Sequence, residues 1–303
     1  MSLLGSPPVG NFKEILDDLG MPLTFDGKVW RGQAIWRNGS NKTSVIVDPN
    51  GYFDFGSRAK GSVQNLIAKI CGIDEDEVGQ IVELKEVSPS INVQRIIDSP
   101  KIYGEECLSK LDTDYSYWEG RGISRATQKI FEVGFARQNK MGGRTVFPIR
   151  RADSKIIGFA GREVKKSTGK YPKWILIGFK KFFTYSYQNC MDEIRQSNRI
   201  ILVESIGDLL SLYESGVKNV MATFGLRVHK GLLKLIIINN LHVTISFNND
   251  ERMQGNEASI YTQSQLSKYI NESKINIVTP VRNDWNDTLL KDGGAAIRKS
   301  LLN

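Results

Sequence analysis

The sequence is poor in the residues that build disulfide frameworks and zinc sites. Its 303 residues include only 3 cysteines and 2 histidines. The cysteines, Cys71, Cys107 and Cys190, are odd in number and widely scattered, which is typical of reduced, isolated thiols. With His229 and His242 as the only histidines, no cluster of zinc ligands can be formed along the chain, and we expect no zinc.

Long hydrophobic runs are missing as well. No stretch approaches the roughly 18 consecutive apolar residues of a membrane-spanning helix, so we expect no membrane span and no membrane partner. The N-terminus, MSLLGSPPVGNFKEI, lacks the basic start and continuous apolar core of a secretory signal. These two absences predict a cytoplasmic protein. The chain also lacks a G-x-x-x-x-G-K-[ST] loop, which excludes that class of ATPase site.

Positive charge is in surplus, with 41 Lys and Arg against 33 Asp and Glu and a net charge of +8. The basic residues concentrate between about residues 121 and 181, where they alternate with aromatic residues. Cations beside ring faces suit a groove that follows a phosphate backbone while bases stack, so this pattern favours a nucleic-acid partner. A core strand pair flanked by solvated lysines is the alternative interpretation.

The first third of the chain divides into a folded module and a connection. Up to about residue 85, short alternating runs are separated by turns at Asn50-Gly51 and similar pairs, and a helical pattern begins at Ser62. We predict a small β-rich module capped by a helix over residues 1–85. Residues 86–105 are polar with scattered apolar positions and prolines, which predicts a linker with at most one short helix.

Strand and helix patterns alternate between residues 199 and 290. Four short apolar runs, RIILVES, VKNVMATFG, HVTISFN and INIVTPV, are separated by helical patterns. This alternation predicts a mainly parallel sheet with helices on both faces. Ligands bind such sheets beyond the carboxyl ends of the strands. Oxygen-bearing side chains stand at these ends, namely Glu204, Asn248 to Asp250, and Asp284 to Asp287.

Carboxylates gathered at one edge of a sheet predict bound cations. Acidic groups in one crevice repel each other, and that repulsion is tolerable only when cations neutralise it. Hard oxygen ligands select Mg²⁺ or Mn²⁺, and a phosphate usually completes the shell. The structural alternative is that these residues cap helix N-termini, where acidic side chains are favoured in any protein.

Several motifs in order resemble one protein family. VESIGDLLSLYESGVKNVMATFGL, ISFNNDERMQGNEAS and NDWNDTLL resemble the TOPRIM domain of primases, topoisomerases and some nucleases. Upstream, YSYWEGRGISRATQKIFEVGFA, VFPIRRADSKIIGFAGREV, GKYPKW and FKKFFTYSY resemble the basic half of the RNA polymerase domain in bacterial DnaG-type primases. The resemblance covers about residues 110 to 295 and is strongest to the short primases of tailed bacteriophages.

The fold implied by the resemblance is mixed, α+β and α/β. A basic α+β subdomain over residues 106–198 would precede a TOPRIM domain with a C-terminal helix over residues 199–303. Residues 22–72 resemble the second half of a primase zinc ribbon without its Cys and His ligands. We interpret residues 1–85 as a metal-free ribbon held by a small apolar core, and an accidental likeness is the alternative.

The activity implied by the resemblance is that of a DNA primase, which joins nucleoside triphosphates into RNA primers on single-stranded DNA with Mg²⁺ or Mn²⁺. Glu204, Asp208 and Asp250 would be catalytic. The implied metal ligands are Glu204, Asp208, Asn248, Asp250, Asp284 and Asp287, where Asn248 departs from the family's Asp. The implied contacts to template, primer and nucleotide are Arg121, Arg144, Arg162, Lys170, Tyr171 and Lys181. No helicase segment is recognisable, so a helicase would be a separate partner.

Two other functions use the same residues. A TOPRIM nuclease would employ the carboxylates to cut DNA, although the basic upstream half argues against it. A single-strand-binding or helicase-associated module with weakened catalysis would account for Asn248 and for the missing zinc ligands.

Overall fold

The computed structural model describes residues 9–165, 172–249 and 254–302. The chain forms two compact units, Met1–Lys101 and Ile102–Asn303. Among the helices within the described ranges, none is both long and apolar enough to cross a membrane.

The first unit is built around a five-stranded antiparallel meander. The strands are β1 (Thr24–Phe25), β2 (Trp30–Gly32), β3 (Val45–Asp48), β4 (Gly51–Asp54) and β5 (Lys60–Gly61), and they pair in chain order. The helices are α1 (Val9–Asp18), α2 (Val63–Cys71), α3 (Val78–Val87) and α4 (Val93–Asp98), with single 3-10 turns at Ile35–Arg37 and Glu75–Glu77. The β-rich module and its helix, which the sequence predicts, are both present.

Local side-chain hydrogen bonds define the turns of this unit. Ser62 caps α2 by accepting a hydrogen bond from the main-chain N–H of Asn65, and Gly72 ends the helix in a left-handed conformation with φ 62°. The Asp48 carboxylate accepts hydrogen bonds from the main-chain N–H groups of Asn50 and Gly51, which closes the β3–β4 hairpin. The helix start predicted at Ser62 is thus explained by capping.

The segment over residues 86–105 is more than a connection. It contains α4, as the prediction of one short helix allowed, but Val93 and Ile97 of that helix are buried. α4 contacts α1 and α3, and the first unit extends to Lys101. Residues 86–101 therefore belong to the first unit, and two apolar residues of α4 anchor them there.

A buried carboxylate joins two turns of the meander. Asp54 accepts hydrogen bonds from Arg37 Nε at 2.7 Å and Arg37 Nη2 at 2.8 Å, and also from the Ser57 hydroxyl and the Gly56 N–H. The Asp54 side chain is completely buried. These bonds connect the 3-10 turn at Ile35–Arg37 to the turn between β4 and β5, so side-chain hydrogen bonds cross-link this part of the module.

The second unit begins with a four-stranded antiparallel sheet. Its strands are β6 (Gly134–Ala136), β7 (Arg144–Arg150), β8 (Ile156–Glu163) and β9 (Trp174–Ile177), paired in chain order. Short helices precede it, α5 (Ser116–Glu119) and α6 (Arg125–Ile130), and α7 (Tyr187–Ser197) follows it. Single 3-10 segments occur at Glu105–Lys110, Asn139–Met141 and Lys180–Phe182.

A parallel sheet completes the second unit, and all four predicted strands are present. They are β10 (Arg199–Val203), β11 (Val220–Ala222), β12 (His242–Ile245) and β13 (Ile275–Ile277), in the order β11-β10-β12-β13 with every pair parallel. The flanking helices are α8 (Ile206–Glu214), α9 (Lys230–Ile238), α10 (Gln254–Leu266) and α11 (Trp285–Leu302), which is kinked at Gly293. β10 is central and buried, which explains its uninterrupted apolar run.

One apolar core connects the two sheets of this unit. Phe147 and Ile149 of β7 belong to the same buried cluster as Ile201 and Leu202 of β10. Trp118 of α5 is part of this cluster, and its indole N–H donates to the Thr145 hydroxyl at 3.2 Å. Shared packing therefore fixes the antiparallel sheet against the carboxyl edge of the parallel sheet, where the polar strand ends lie.

Candidate active site

A cleft of about 290 Å³ opens between the two sheets of the second unit. Its lining comes from the loop after α5, from β8 and β9, and from the carboxyl ends of the parallel strands. The residues that line it include Trp118, Arg121, Arg162, Lys173, Trp174, Leu176, Glu204, Ser205, Asp208, Phe224, Asn248, Asp284 and Asn286. Carboxylates face cations across this space, as expected for a site that binds phosphates and metal ions.

Asp208 is the most constrained carboxylate of the cleft. Its Oδ2 accepts from the Ser205 hydroxyl at 2.6 Å, and its Oδ1 accepts from the main-chain N–H of Trp285 at 3.1 Å. Ser205 also caps α8, since its hydroxyl accepts from the main-chain N–H of Asp208. Asp208 therefore fixes the first turn of α8 against the first turn of α11.

Burial and like charges raise the pKa of Asp208 to about 7. Burial is the larger cause, because its side chain is 2% exposed. The negative charge of Asp284 adds to the effect, and that of Glu204 contributes less, while the hydrogen bonds from Ser205 and Trp285 oppose it. The three acidic residues are thus close enough to interact electrostatically.

Asp284 and Asn248 also lie at the carboxyl edge of the parallel sheet. Asp284 Oδ1 accepts from the main-chain N–H of Asp287 at 2.7 Å, so Asp284 caps the start of α11. Asn248 follows β12, and its buried Oδ1 has no hydrogen-bond partner among the described residues. A buried amide oxygen without a donor is costly, and a cation beside it would satisfy it.

A divalent ion in this cleft would need both carboxylate oxygens and the amide oxygen of Asn248 as ligands. Within residues 9–165, 172–249 and 254–302, no three His, Cys, Asp or Glu side chains converge closely enough to hold a metal alone. Asn248 adds a neutral oxygen to the carboxylates of Glu204 and Asp284. Asp250, which the sequence predicts as a principal ligand, lies outside the described residues. The donors are all hard oxygens, which fits Mg²⁺ or Mn²⁺.

Cations and aromatic rings form the opposite wall. Arg162 Nε donates to the Tyr117 hydroxyl at 2.9 Å, and its guanidinium lies 5.5 Å from the Trp174 ring centroid. The Arg121 guanidinium lies 5.3 Å from the Tyr117 ring. Burial lowers the pKa of Arg162, although a guanidinium stays charged at any physiological pH. These contacts hold two positive charges facing the carboxylates.

The predicted site residues divide into three groups. The cleft brings together Glu204, Asp208, Asn248 and Asp284 with Arg121 and Arg162. Three predicted residues lie outside the lining: Asp287 lies 3.9 Å from Lys291, Lys181 lies 5.2 Å from the ring of Phe182, and Arg144 is buried in the antiparallel sheet. Asp250, Lys170 and Tyr171 lie outside the described residues.

Arg144 lies outside the cleft lining. We predicted that it contacts nucleic acid or nucleotide, but its side chain is only 3% exposed. Its guanidinium donates to the carbonyl groups of Pro172 and Lys173 at 2.8 and 3.2 Å and pairs with Glu163 at 3.2 Å. Because its donors are directed at the protein, Arg144 supports the chain that leads into β9 instead of facing a ligand.

Sequence reasoning missed several residues in and beside the cleft. Trp174 lies opposite Arg162 in the β8–β9 pairing, and Tyr117 lies against both arginines. Lys173 and Asn286 also line the cleft. Strand alternation could have indicated Trp174 if the β8–β9 register had been known, but the other three depend on long-range contacts that the sequence does not display.

The parallel sheet and the strand ends that line the cleft lie in a region similar to a known family. Residues 201–289 match the family model described as Toprim-like. This match spans β10 to the first turn of α11, which includes every strand end that contributes an oxygen to the cleft.

Known DNA primases contain regions that are similar to this chain. A curated relative, the DNA primase of Staphylococcus aureus, is 29% identical over 140 residues, which is 45% of this chain and 22% of the relative. The matched part therefore spans about a fifth of that relative's length.

Solved structures share the fold. The Aquifex aeolicus primase, with its zinc-binding and RNA polymerase domains, has a TM-score of 0.55 and 20% identity, covering 96% of this chain and 84% of that one. A DnaG primase catalytic domain bound to single-stranded DNA has a TM-score of 0.53 and 19% identity, covering 65% and 76%. At these identities the likeness establishes the fold alone, a mixed α/β fold shared with primase catalytic domains.

Proposed function

We propose that this chain is a DNA primase that makes short RNA primers on single-stranded DNA. The observation that carries the proposal is one cleft in which Glu204, Asp208 and Asp284 face Arg121 and Arg162. The primase relatives and the shared catalytic-core fold support it. The solved primase domain with bound single-stranded DNA supports the choice of template.

The residues of the cleft suit nucleotidyl transfer. In this reaction a 3′-hydroxyl attacks the α-phosphate of a nucleoside triphosphate and pyrophosphate leaves. Glu204 would take the proton of the attacking hydroxyl, since it stands at the open end of β10 beside the cleft. Arg121, Arg162 and Lys173 would bind the phosphate oxygens on which charge accumulates.

Divalent ions belong to the same proposal. Mg²⁺ or Mn²⁺, bound by Glu204, Asn248 and Asp284 together with Asp250, would supply positive charge beside the attacking and leaving oxygens. Asp208 would hold the two helix starts in place and add negative charge, and Asp287 would be an outer ligand. A two-ion arrangement, a bacteriophage origin, a separate helicase partner and a cytoplasmic location are supported by the sequence resemblance.

A primer-synthesis assay tests the proposal. The protein is incubated with single-stranded DNA, labelled nucleoside triphosphates and Mg²⁺ or Mn²⁺, beside Glu204→Gln and the matched control Glu193→Gln. Glu193 is exposed on α7, so the same substitution there should leave synthesis unchanged. We expect short products from the wild type and from Glu193→Gln, and none from Glu204→Gln, with DNA binding retained in all three.

Other results would favour the alternatives. Cleaved DNA in place of new primers would indicate a nuclease. Single-strand binding without synthesis or cleavage, with either ion and with or without a helicase, would indicate a binding module.

A further inference from the structure

The cleft has an apolar end that the proposed chemistry does not use. In the strand order β11-β10-β12, Phe224 follows β11 and Asn248 follows β12, so they lie on opposite sides of Glu204 after β10. Neighbouring strands are about 4.8 Å apart, so the edge carries an aromatic ring on one flank of Glu204 and oxygen donors on the other. Both flanks border the same cleft.

Strand β9 supplies the matching apolar side chain. Trp174 pairs with Arg162 across β8 and β9, and Leu176 lies two residues further along on the same face of the sheet. Beyond Leu176 the chain reaches Gly178, which is packed against the Phe183 ring. The Phe183 ring lies 5.3 Å from the Phe224 ring. Leu176 and Phe224 therefore border the end of the cleft that lies away from Arg162.

The backbone holds Phe224 in an unusual conformation. Its φ is 57°, in the left-handed region that side chains other than glycine rarely adopt. The Thr223 hydroxyl donates to the Val203 carbonyl at 3.0 Å, and the Gly225 N–H donates to the Glu204 carbonyl at 3.1 Å. A strained residue that is pinned to the strand end beside Glu204, at the border of a cleft, suggests a functional role.

The ring of Phe224 is also fixed in orientation. It makes edge contacts with Phe183 at 5.3 Å and with Tyr185 at 5.6 Å, and both partners are buried. Phe224 itself is only partly buried. Core aromatic rings thus support it from behind while part of it remains accessible from the cleft.

We propose that Phe224 and Leu176 form a subsite for a nucleobase, and that Phe224 is its stacking residue. The inference rests on the proposed function, because a nucleotide with its phosphates among Arg121, Arg162 and Lys173 would extend its base toward this apolar end. The base can belong to the incoming nucleoside triphosphate or to the template strand. Stacking on a ring and an aliphatic side chain offers little base discrimination, so the subsite accepts all four bases.

Binding measurements on the full-length chain test the subsite without relying on catalysis. In the first arm, equilibrium dialysis with Mg²⁺ compares the Kd of ATP with that of ribose 5′-triphosphate, which lacks a base. In the second arm, the Kd of a short single-stranded DNA is compared with that of the same oligonucleotide carrying abasic sites. Wild type should prefer the base-containing ligand in at least one arm, by roughly 5- to 100-fold.

Four variants test whether the Phe224 ring and Leu176 form the subsite. Phe224→Leu removes the ring but keeps an apolar side chain and should bring the preference close to 1, while affinity for the base-free ligand stays unchanged. Phe224→Tyr keeps a ring and should retain the preference. Leu176→Ala should reduce it without touching the strained backbone. Phe131→Leu is the matched control, because Phe131 is a buried ring of the same core that does not border the cleft.

The two arms show which base the subsite binds. If Phe224→Leu loses the preference for ATP over ribose 5′-triphosphate, the subsite binds the base of the incoming nucleotide. If it loses the preference for intact DNA over abasic DNA, the subsite binds a template base. If Phe224→Leu keeps the wild-type preference in both arms, the subsite proposal is wrong, even if the protein makes primers. Failure of the wild type to bind either triphosphate and to make primers would instead overturn the proposed function, and the subsite with it.

Discussion

Asn286 of α11 holds Arg121 at two atoms. Arg121 Nη1 donates to Asn286 Oδ1 at 2.7 Å, and Asn286 Nδ2 donates to the main-chain carbonyl of Arg121 at 2.9 Å. Asn286 Nδ2 also lies 3.0 Å from the Ser211 hydroxyl of α8. This buried amide therefore connects the loop that carries a cleft arginine to two helices of the Toprim-like region.

Replacing Asn286 by alanine should lower both stability and primer synthesis. The substitution removes both hydrogen bonds to Arg121, and the partly buried main-chain carbonyl of Arg121 loses its donor, which costs about 1–3 kcal/mol of unfolding free energy. Arg121 would then lose its fixed position in the cleft. We expect synthesis to fall at least several-fold, measured by labelled-primer yield, and the melting temperature to fall in a thermal scan.

Asn276→Ala is the control for this experiment. Asn276 is exposed on the edge strand β13, so its replacement should change neither quantity. If Asn286→Ala retained full synthesis at a temperature where it is folded, Asn286 would be a stabilising residue only, without a role in positioning Arg121.

The hydrogen bonds between Asn286 and Arg121 could not be predicted from the sequence, whereas the parallel sheet could. The parallel sheet was predictable because short apolar runs alternate with helical patterns between residues 199 and 290, and the carboxylate edge follows from the strand direction. Asn286 and Arg121 are 165 residues apart in sequence, and nothing local connects them. Their pairing depends on how α11 packs beside α8, which is a property of the folded core.

Arg144 shows the opposite case, a predicted ligand contact whose side chain the fold buries among protein partners. Charged residues are usually exposed, and this one begins a strand in a basic region, which made a ligand contact plausible. Its partners are Glu163, on the paired strand, and carbonyl groups of the chain leading into β9. Cross-strand register decides this environment, and register is not evident from residue types alone.

The stability of the metal-free protein should depend on pH through Asp208. Its folded-state pKa of about 7 lies above the ordinary value of 3.8. A raised folded-state pKa means that the folded state binds the proton more tightly. The contribution to stability is therefore full below about pH 3.8 and is lost as pH rises toward 7, by up to roughly 1.4 kcal/mol per pH unit.

Asp208→Asn should remove this dependence, because the amide does not titrate. Urea unfolding in a metal chelator, from pH 4.5 to 8, measures the difference in unfolding free energy between wild type and variant. We expect the variant to gain stability relative to the wild type as pH rises. Parallel pH profiles for the two proteins would contradict a shifted Asp208.

The Arg37–Asp54 pair should be a main support of the first unit. Arg37→Met leaves the Asp54 carboxylate buried without its charged partner, at a cost of about 3 kcal/mol. Arg37 holds the pKa of Asp54 well below its usual range, so the stability from this pair is present above about pH 4 and is lost as pH falls. Hydrogen exchange of peptides over residues 35–60 should speed up in the variant.

An exposed pair in the same meander provides the comparison. Arg31 and Asp26 are each about one-third exposed, so Arg31→Met should cost at most about 1 kcal/mol. Equal protection of residues 35–60 in the Arg37→Met and Arg31→Met variants would show that the buried pair does not stabilise the module.

Gly255 should be essential to the oxygen-bearing edge of the cleft. A Cβ atom at this position in α10 would lie 1.9 Å from the main-chain carbonyl oxygen of Asn248, so Gly255→Ala must displace either the helix or the strand end. Displacing Asn248 moves an oxygen that the proposed metal site uses. We expect a large loss of primer synthesis and a lower melting temperature in this variant.

Gly79 offers a control with the same substitution. It lies in α3, and a Cβ there meets nothing within 4 Å, so Gly79→Ala should be neutral or stabilise by about 0.4–1 kcal/mol.

Partial rescue of Gly255→Ala by a higher Mn²⁺ concentration would show that the displaced oxygen weakens metal binding. Full activity of Gly255→Ala at ordinary Mg²⁺ would contradict the expected displacement of Asn248.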